Sequence, residues 1–130
     1  MQLSNLPFVL HVIIETAAAA SFIFKPASQL PNPSVAARLV LESFGGLLLT
    51  TNLICLIFVS RPEFDGTSRL VAISLAFWHV WPCRRAYVRL TNPAVDGKTS
   101  DQAKTLGGPA AHLAVHFALF SLFVGAAFFG

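Results

Sequence analysis

The sequence contains too little charge for a water-soluble globular protein. Charged residues make up 12% of its 130 residues, whereas hydrophobic residues make up 55% and the mean hydropathy is +0.66. A soluble domain normally carries about 25% charged residues. So few polar groups cannot cover a globule, and lipid must therefore solvate much of the chain. The length predicts a single membrane domain over residues 1–130, with no separate soluble domain.

Two further shortages exclude other classes of protein. The two cysteines, Cys55 and Cys83, lie in apolar segments and lack the Cys-x-x-Cys spacing of a redox or zinc motif. The basic residues flank hydrophobic segments without interleaved aromatics, so we expect no nucleic-acid partner. The first apolar segment lacks a basic n-region and is interrupted by Glu15, which indicates a retained helix rather than a signal peptide.

Four apolar segments have the length that a membrane-spanning helix needs. A hydrocarbon core about 30 Å thick takes roughly 20 apolar residues per helix. Ser34 is placed to cap the second helix, and Pro82 within the third predicts a kink. Residues 60–68 and the polar residues 91–108 are the predicted second and third loops. The predicted fold is all-α, an antiparallel four-helix transmembrane bundle with helices at about 6–24, 35–59, 69–90 and 109–129.

Basic residues are unevenly divided between the two sides of this bundle. With four spans, both chain ends and the second loop share one side, which holds only Arg61 and Arg69. Cytosolic loops carry the excess of Lys and Arg, so we expect both termini to be non-cytosolic. We expect an integral membrane protein of an endomembrane such as the endoplasmic reticulum. The opposite side holds Lys25, Arg38, Arg84, Arg85, Arg89, Lys98 and Lys104.

Ionisable residues inside the predicted spans are the candidate functional groups. Such groups are costly in hydrocarbon and normally face the interior of a bundle, where they pair. His11 and Glu15 are four residues apart and therefore share a helix face, as do Arg38 and Glu42. At about 1.5 Å rise per residue, five side chains fall in one layer roughly 6 Å thick in the cytosolic half of the bundle. They are Glu15, Glu42, His79, Arg84 and His116.

This layer predicts a polar pocket that binds or transforms a lipophilic small molecule, such as a sterol, a terpenoid or another lipid. A carboxylate and an imidazole in an apolar cavity are the groups needed for proton transfer on a carbon skeleton. The candidate catalytic residues are Glu15, Glu42, His79 and His116. The candidate ligand-binding residues add rings for stacking and further polar groups: His11, Asn52, Trp78, Trp81, Arg84, Tyr87 and His112.

Other interpretations stay open. In one, the polar groups serve only to fix helix packing, in a structural or assembly subunit that is not an enzyme. His112 and His116 have the spacing of two metal ligands on one helix face but lack the usual partners, so we expect no metal and no cofactor. A transporter or proton path would need oligomers, which Gly45-Gly46 would permit through close helix approach. The expected partner is membrane lipid. In the case of a transporter, a second copy of the chain would be a further partner.

Five motifs are spread over nearly the whole chain. They are His11-x-x-x-Glu15, Lys25-Pro26, Thr51-Asn52-Leu53-Ile54, Trp78-His79-x-x-Pro82-x-x-Arg85-Ala86-Tyr87 and Gly108-Pro109-x-x-His112-x-x-x-His116. Together they resemble a group of small four-helix membrane proteins predicted from fungal genomes. The layout is more distantly similar to DoxX-like proteins and to the EXPERA group of sterol isomerases and lipophile receptors. The resemblance implies fold and membrane location. The chain is shorter than EXPERA proteins and lacks their motifs, so it inherits no site residue from them.

Overall fold

The computed structural model describes residues 2–30, 32–92 and 107–130. These contain four α-helices, α1 (Leu6–Phe24), α2 (Val35–Val59), α3 (Gly66–Thr91) and α4 (Gly108–Phe129). Short 3-10 helices lie at Leu3–Asn5 and Pro26–Ser28, and the described ranges contain no strand. The all-α fold class with four helices is confirmed. Most of the predicted polar loop, with Lys98 and Lys104, lies outside the described residues.

Three helical stretches are long and apolar enough to cross a membrane: Leu3–Phe24, Val35–Val59 and Gly108–Phe129. Large apolar side chains on all three are widely exposed, which suits contact with lipid and not with water. By length and composition, this is an integral membrane protein.

The third helix differs from the other three in composition. α3 spans 26 residues but is absent from the set of candidate membrane spans. Arg69, Arg84, Arg85 and His79 lower its hydropathy. A fourth span therefore stays a prediction. Pro82 lies within α3, which continues through it to Thr91.

Capping side chains explain where α2 and α3 begin. The Ser34 hydroxyl accepts a hydrogen bond from the Ala37 amide at 3.2 Å, which confirms the predicted cap of α2. The Asp65 carboxylate accepts hydrogen bonds from the Ser68 amide at 2.9 Å and the Ser68 hydroxyl at 3.1 Å. The prediction that α3 begins near residue 69 was therefore wrong by one turn. Asp65-Gly66 falls in the predicted second loop, whereas Asp65 is the N-cap of α3.

The chain divides into two compact units. The first unit is Phe8–Pro62, and the second comprises Gln2–Pro7 with the described residues of Glu63–Gly130. The expectation of one membrane domain over residues 1–130 stays a prediction.

In the first unit, α1 and α2 pack as an antiparallel pair. Phe8 stacks on Phe58 with ring centroids 6.1 Å apart, and Phe22 meets Phe44 edge to face at 4.9 Å. Between these contacts Gly45 is buried, and a Cβ there would lie 3.1 Å from the Ala19 carbonyl oxygen. The missing side chain thus allows the two helix backbones to approach closely, as small residues do in membrane proteins.

In the second unit, α3 and α4 form another antiparallel pair. The Arg69 guanidinium near the start of α3 donates to the Gly130 carbonyl oxygen after the end of α4. Towards the other end, Arg85 contacts His112. The segment before α1 belongs to this unit as well, since the Gln2 side-chain oxygen accepts a hydrogen bond from the Phe64 amide at 3.1 Å.

Candidate functional site

The first unit contains a group of polar side chains between its two helices, three of them buried. This group, called here the α1–α2 polar cluster, consists of His11, Glu15 and Thr16 from α1 with Thr51 and Asn52 from α2. The spacing places the residues of each helix on one face. The α2 face continues as Leu48 and Cys55, which are both fully buried. The helical period of the sequence therefore brings these side chains together.

His11 is held by a hydroxyl from the neighbouring helix. Its Nε2 lies 3.1 Å from the Thr51 hydroxyl oxygen. That hydroxyl donates its own proton to the Leu48 carbonyl oxygen at 2.8 Å, so it can only accept from His11. A neutral His11 is therefore the tautomer with its proton on Nε2 and an acceptor at Nδ1. The histidine is fully buried.

Asn52 joins the two helices through its side-chain nitrogen and has an unsatisfied acceptor, its side-chain oxygen. Its side-chain nitrogen donates to the Thr16 hydroxyl at 2.9 Å and approaches the Val12 carbonyl oxygen at 3.5 Å. The side-chain oxygen, Oδ1, is buried and accepts no hydrogen bond from any residue in the described ranges. Leaving a buried acceptor unsatisfied costs about 1–3 kcal/mol. Thr16 next to it is exposed, so the cluster has an open side within this unit.

Glu15 completes the cluster with a carboxyl group. It is 2% exposed, and one of its carboxylate oxygens lies within 4.8 Å of a His11 ring nitrogen. Two buried ionisable groups are therefore close together on α1, as their spacing predicts. This part of the predicted acid–base site lies within the first unit.

Glu42 has a different environment from Glu15. Its carboxylate forms a 2.7 Å ion pair with Arg38, one turn earlier on α2, and about a third of its side chain is exposed. The spacing of four residues predicts this pairing. Among the hydrogen bonds between described residues of the first unit, none joins Glu42 to the α1–α2 polar cluster. Its catalytic role stays a prediction.

The second unit holds a row of imidazole rings, called here the histidine row: His79 of α3 with His112 and His116 of α4. The Nδ1 atoms of His79 and His116 lie 2.9 Å apart. The His112 and His116 rings meet edge to face with centroids 4.3 Å apart. His79 also stacks on Phe123, with ring centroids 5.6 Å apart. Two predicted catalytic residues, His79 and His116, are thus in direct contact.

The hydrogen bonds of the histidine row restrict which ring nitrogens carry a proton. One of His79 and His116 must donate from Nδ1 and the other must accept, since two protonated nitrogens at this distance would repel. Arg85 donates to His112 Nε2 at 3.0 Å, so a neutral His112 carries its proton on Nδ1. The lone pair that a metal would use at His112 is engaged by a cation. This geometry disfavours the alternative of a metal site on His112 and His116.

The other predicted ligand-binding residues lie along α3. Trp78 is half-buried, whereas Trp81 is 53% exposed and Tyr87 is 59% exposed. Arg84 is exposed as well. The Trp81 ring meets Phe77 edge to face at 6.2 Å. Trp81 and Tyr87 therefore lie on the outward surface of the helix, and within the described residues neither ring contacts the histidine row.

Sequence reasoning did not assign a site role to three partners that the structure provides. Thr16 and Thr51 form hydrogen bonds with Asn52 and His11, and Arg85 donates a hydrogen bond to His112. Thr51 did stand in one of the quoted motifs. A threonine directly next to a buried polar residue was the available signal, since Thr16 follows Glu15 and Thr51 precedes Asn52. The register between helices decides which hydroxyl is used.

Comparison with known proteins adds no assignment to this geometry. No family model, no curated protein and no solved structure matches the chain. Any function therefore has to be argued from the two units themselves.

Proposed function

We propose that this membrane protein binds a lipophilic small molecule that bears a hydroxyl group, at the α1–α2 polar cluster. The unsatisfied Oδ1 of Asn52 supports this proposal most directly, because a buried acceptor calls for a donor. A sterol, a terpenoid alcohol or a related lipid offers one hydroxyl on an apolar body. Such a molecule can enter from the bilayer on the side of the exposed Thr16.

The neighbouring acid and base extend the proposal to chemistry. Glu15 and His11 lie within 4.8 Å of each other, and a neutral His11 that donates a hydrogen bond from Nε2 to Thr51 has its lone pair at Nδ1. A positioned carboxyl and imidazole can move a proton to and from a bound molecule. We infer that the pair acts on the part of the ligand next to its hydroxyl.

Adjacent threonines provide a matched test of ligand binding. Thr51→Val removes the hydroxyl that holds His11, whereas Thr50→Val removes an exposed hydroxyl that bonds only its own helix at Gly46. We expect mass spectrometry of protein purified in mild detergent to find a co-purifying lipophile with wild type and Thr50→Val, and much less with Thr51→Val. A water molecule on Asn52 is the competing source of the donor. Preparations without any bound organic molecule would support water and reject the proposal.

Isotope exchange tests the proton transfer separately from binding. In D₂O, a ligand that is deprotonated and reprotonated on carbon gains deuterium, which mass spectrometry detects. Glu15→Gln keeps the shape of the side chain but cannot exchange a proton at the same position. We expect binding to persist and deuterium incorporation to stop in this variant. Equal incorporation in wild type and Glu15→Gln would remove Glu15 from the mechanism.

A purely structural role is the second candidate, and the histidine row favours it. His79 is fully buried, bonds His116 and stacks on Phe123. Polar contacts of this kind fix the register of two helices, although each is worth only about 0.6 kcal/mol on average in membranes. An assembly subunit would need nothing more. Equal thermal destabilisation by every polar variant, without any bound lipophile, would support this alternative.

We also propose that α3 is a fourth span, which would put both chain ends on one non-cytosolic side of an endomembrane. Single cysteines at Ser60 and Asn92, both exposed next to the ends of helices, test this in a chain lacking Cys55 and Cys83. A spanning α3 gives labelling from opposite sides of sealed vesicles. Labelling of both positions from the same side would leave α3 outside the bilayer.

A further inference from the structure

An apolar groove lies in the second unit, between the segment before α1 and the end of α4. Its volume is about 370 Å³, within the range of small-molecule sites. Leu3, Leu6, Leu122 and Phe129 contribute apolar walls, and no histidine or acid lines it. The groove is therefore separate from the α1–α2 polar cluster and from the histidine row.

Gly125 keeps the groove open. A Cβ added at this residue would meet no atom within 4 Å, although Gly125 lines the groove on α4. The space above it belongs to the groove and not to a tightly packed helix contact. A larger side chain at this position would enter the groove without displacing the backbone.

The surroundings decide what kind of molecule fills this space. The two stretches that form the groove, Leu3–Phe24 and Gly108–Phe129, are both candidate membrane spans. An apolar cavity does not retain water. A hydrocarbon chain from the bilayer satisfies such walls, and the Ser4 and Ser121 hydroxyls are the polar side chains among them.

A cation stands at one end of the groove. The exposed Arg69 side chain donates to the carbonyl oxygen of Gly130, and Gly130 lines the groove. Arg69 lies in the first turn of α3, and Gly130 follows the end of α4, a candidate span whose end meets the headgroup region. A guanidinium has five N–H donors in a fork that suits phosphate oxygens, so donors remain for a second partner.

We propose that the groove binds one acyl chain of a membrane glycerophospholipid whose phosphate is bound by Arg69. The occupant has to be amphiphilic because the apolar walls end at a positive charge. Since this site shares no residue with the α1–α2 polar cluster, it stands independently of the proposed function.

Native mass spectrometry of the full chain in mild detergent tests the groove. Phosphatidylglycerol is titrated against diacylglycerol with the same acyl chains. We expect the phospholipid to bind at least tenfold more tightly, and Gly125→Leu to weaken its binding at least tenfold. Gly46→Leu is the matched control, because Gly46 on α2 also has no atom within 4 Å of an added Cβ and lies outside the groove.

Two further variants make the result decisive. Ser121→Leu fills the groove through an exposed side chain, with Ser74→Leu as its control; each hydroxyl bonds only the carbonyl oxygen four residues earlier, at 2.9 Å. Arg69→Gln should weaken phosphatidylglycerol binding and leave diacylglycerol binding unchanged. Unchanged phospholipid binding in folded Gly125→Leu and Ser121→Leu would overturn the site. Equal affinity for both lipids would overturn recognition of the phosphate.

Discussion

The two helical units use buried polar groups in opposite ways. In the first unit, Asn52 and His11 hold α1 and α2 together and leave the Asn52 Oδ1 without a donor from the described chain. In the second unit, His79 and His116 form a hydrogen bond with each other through their Nδ1 atoms, across α3 and α4. A polar group in hydrocarbon thus either forms a hydrogen bond that holds two helices together or leaves a donor or acceptor for a ligand. The number of remaining hydrogen-bond positions distinguishes these roles better than burial does, since both groups are buried.

The histidine row should give the largest loss of stability. His79→Ala removes a fully buried ring, its hydrogen bond to His116 and its stacking on Phe123. By analogy with other large-to-small core substitutions, we expect a loss of about 2–5 kcal/mol in thermal or SDS unfolding. His79→Asn keeps a polar atom near the position of Nδ1 and should recover part of the loss. A His79→Ala protein as stable as wild type would mean that the His79–His116 hydrogen bond does not hold α3 and α4 together.

The close approach in the first unit gives the next effect. A Cβ at Gly45 would lie 2.6 Å from Ile23 Cγ1, a stiff β-branched side chain, as well as close to the Ala19 backbone. Gly45→Ala should therefore cost about 1–3 kcal/mol. Gly46→Ala, with open space around its Cβ, should stabilise the helix by up to about 1 kcal/mol. Opposite signs at neighbouring glycines are the expected result, and equal effects would show that α1 and α2 do not depend on this contact.

The N-caps of α2 and α3 should contribute a smaller amount of stability, and they too differ between the two units. Asp65 accepts two hydrogen bonds at the start of α3, whereas Ser34 accepts one at the start of α2. Removal of a cap typically costs about 1 kcal/mol. We expect Asp65→Ala to lower the unfolding free energy more than Ser34→Ala does. The reverse order would indicate that α3 does not start at this cap.

Asn52 should have the smallest effect on stability and the clearest effect on binding. Asn52→Leu loses the hydrogen bond to Thr16 and also removes the unsatisfied oxygen; each change is worth about 1 kcal/mol, with opposite sign, so the two should largely cancel. The co-purifying lipophile should nevertheless be lost. Thermal denaturation and mass spectrometry on the same preparation check both expectations. Retention of the lipophile by Asn52→Leu would contradict the binding role of the first unit.

The sequence predicted the helices well because apolar length and spacing are local properties. The ends of α1 and α2 agree with the predicted ranges, and the close positions of His11 and Glu15 follow from a spacing of four. The start of α3 was missed because Asp65-Gly66 fits a turn as well as a cap. Both signals are local, and only the bond to Ser68 separates them.

The composition of the site was harder to predict, because it depends on contacts between helices. Estimates of depth put Glu15 and Glu42 in one layer, but depth does not include rotation about the helix axis. Glu42 is bound by Arg38 on its own helix, whereas Asn52 meets Thr16 through the register of α1 against α2. A sequence period defines the face of each helix and leaves that register undetermined.

The packing of the earliest described residues has a consequence for biosynthesis. The Ser4 side chain lies against Gly130, since a Cβ on Gly130 would come within 2.8 Å of its hydroxyl oxygen. The ribosome makes Ser4 long before Gly130, whereas α1 and α2 can pair once Val59 has left the exit tunnel. The segment before α1 must therefore wait for α4. During that interval, its leucines are available to membrane-insertion factors and to chaperones.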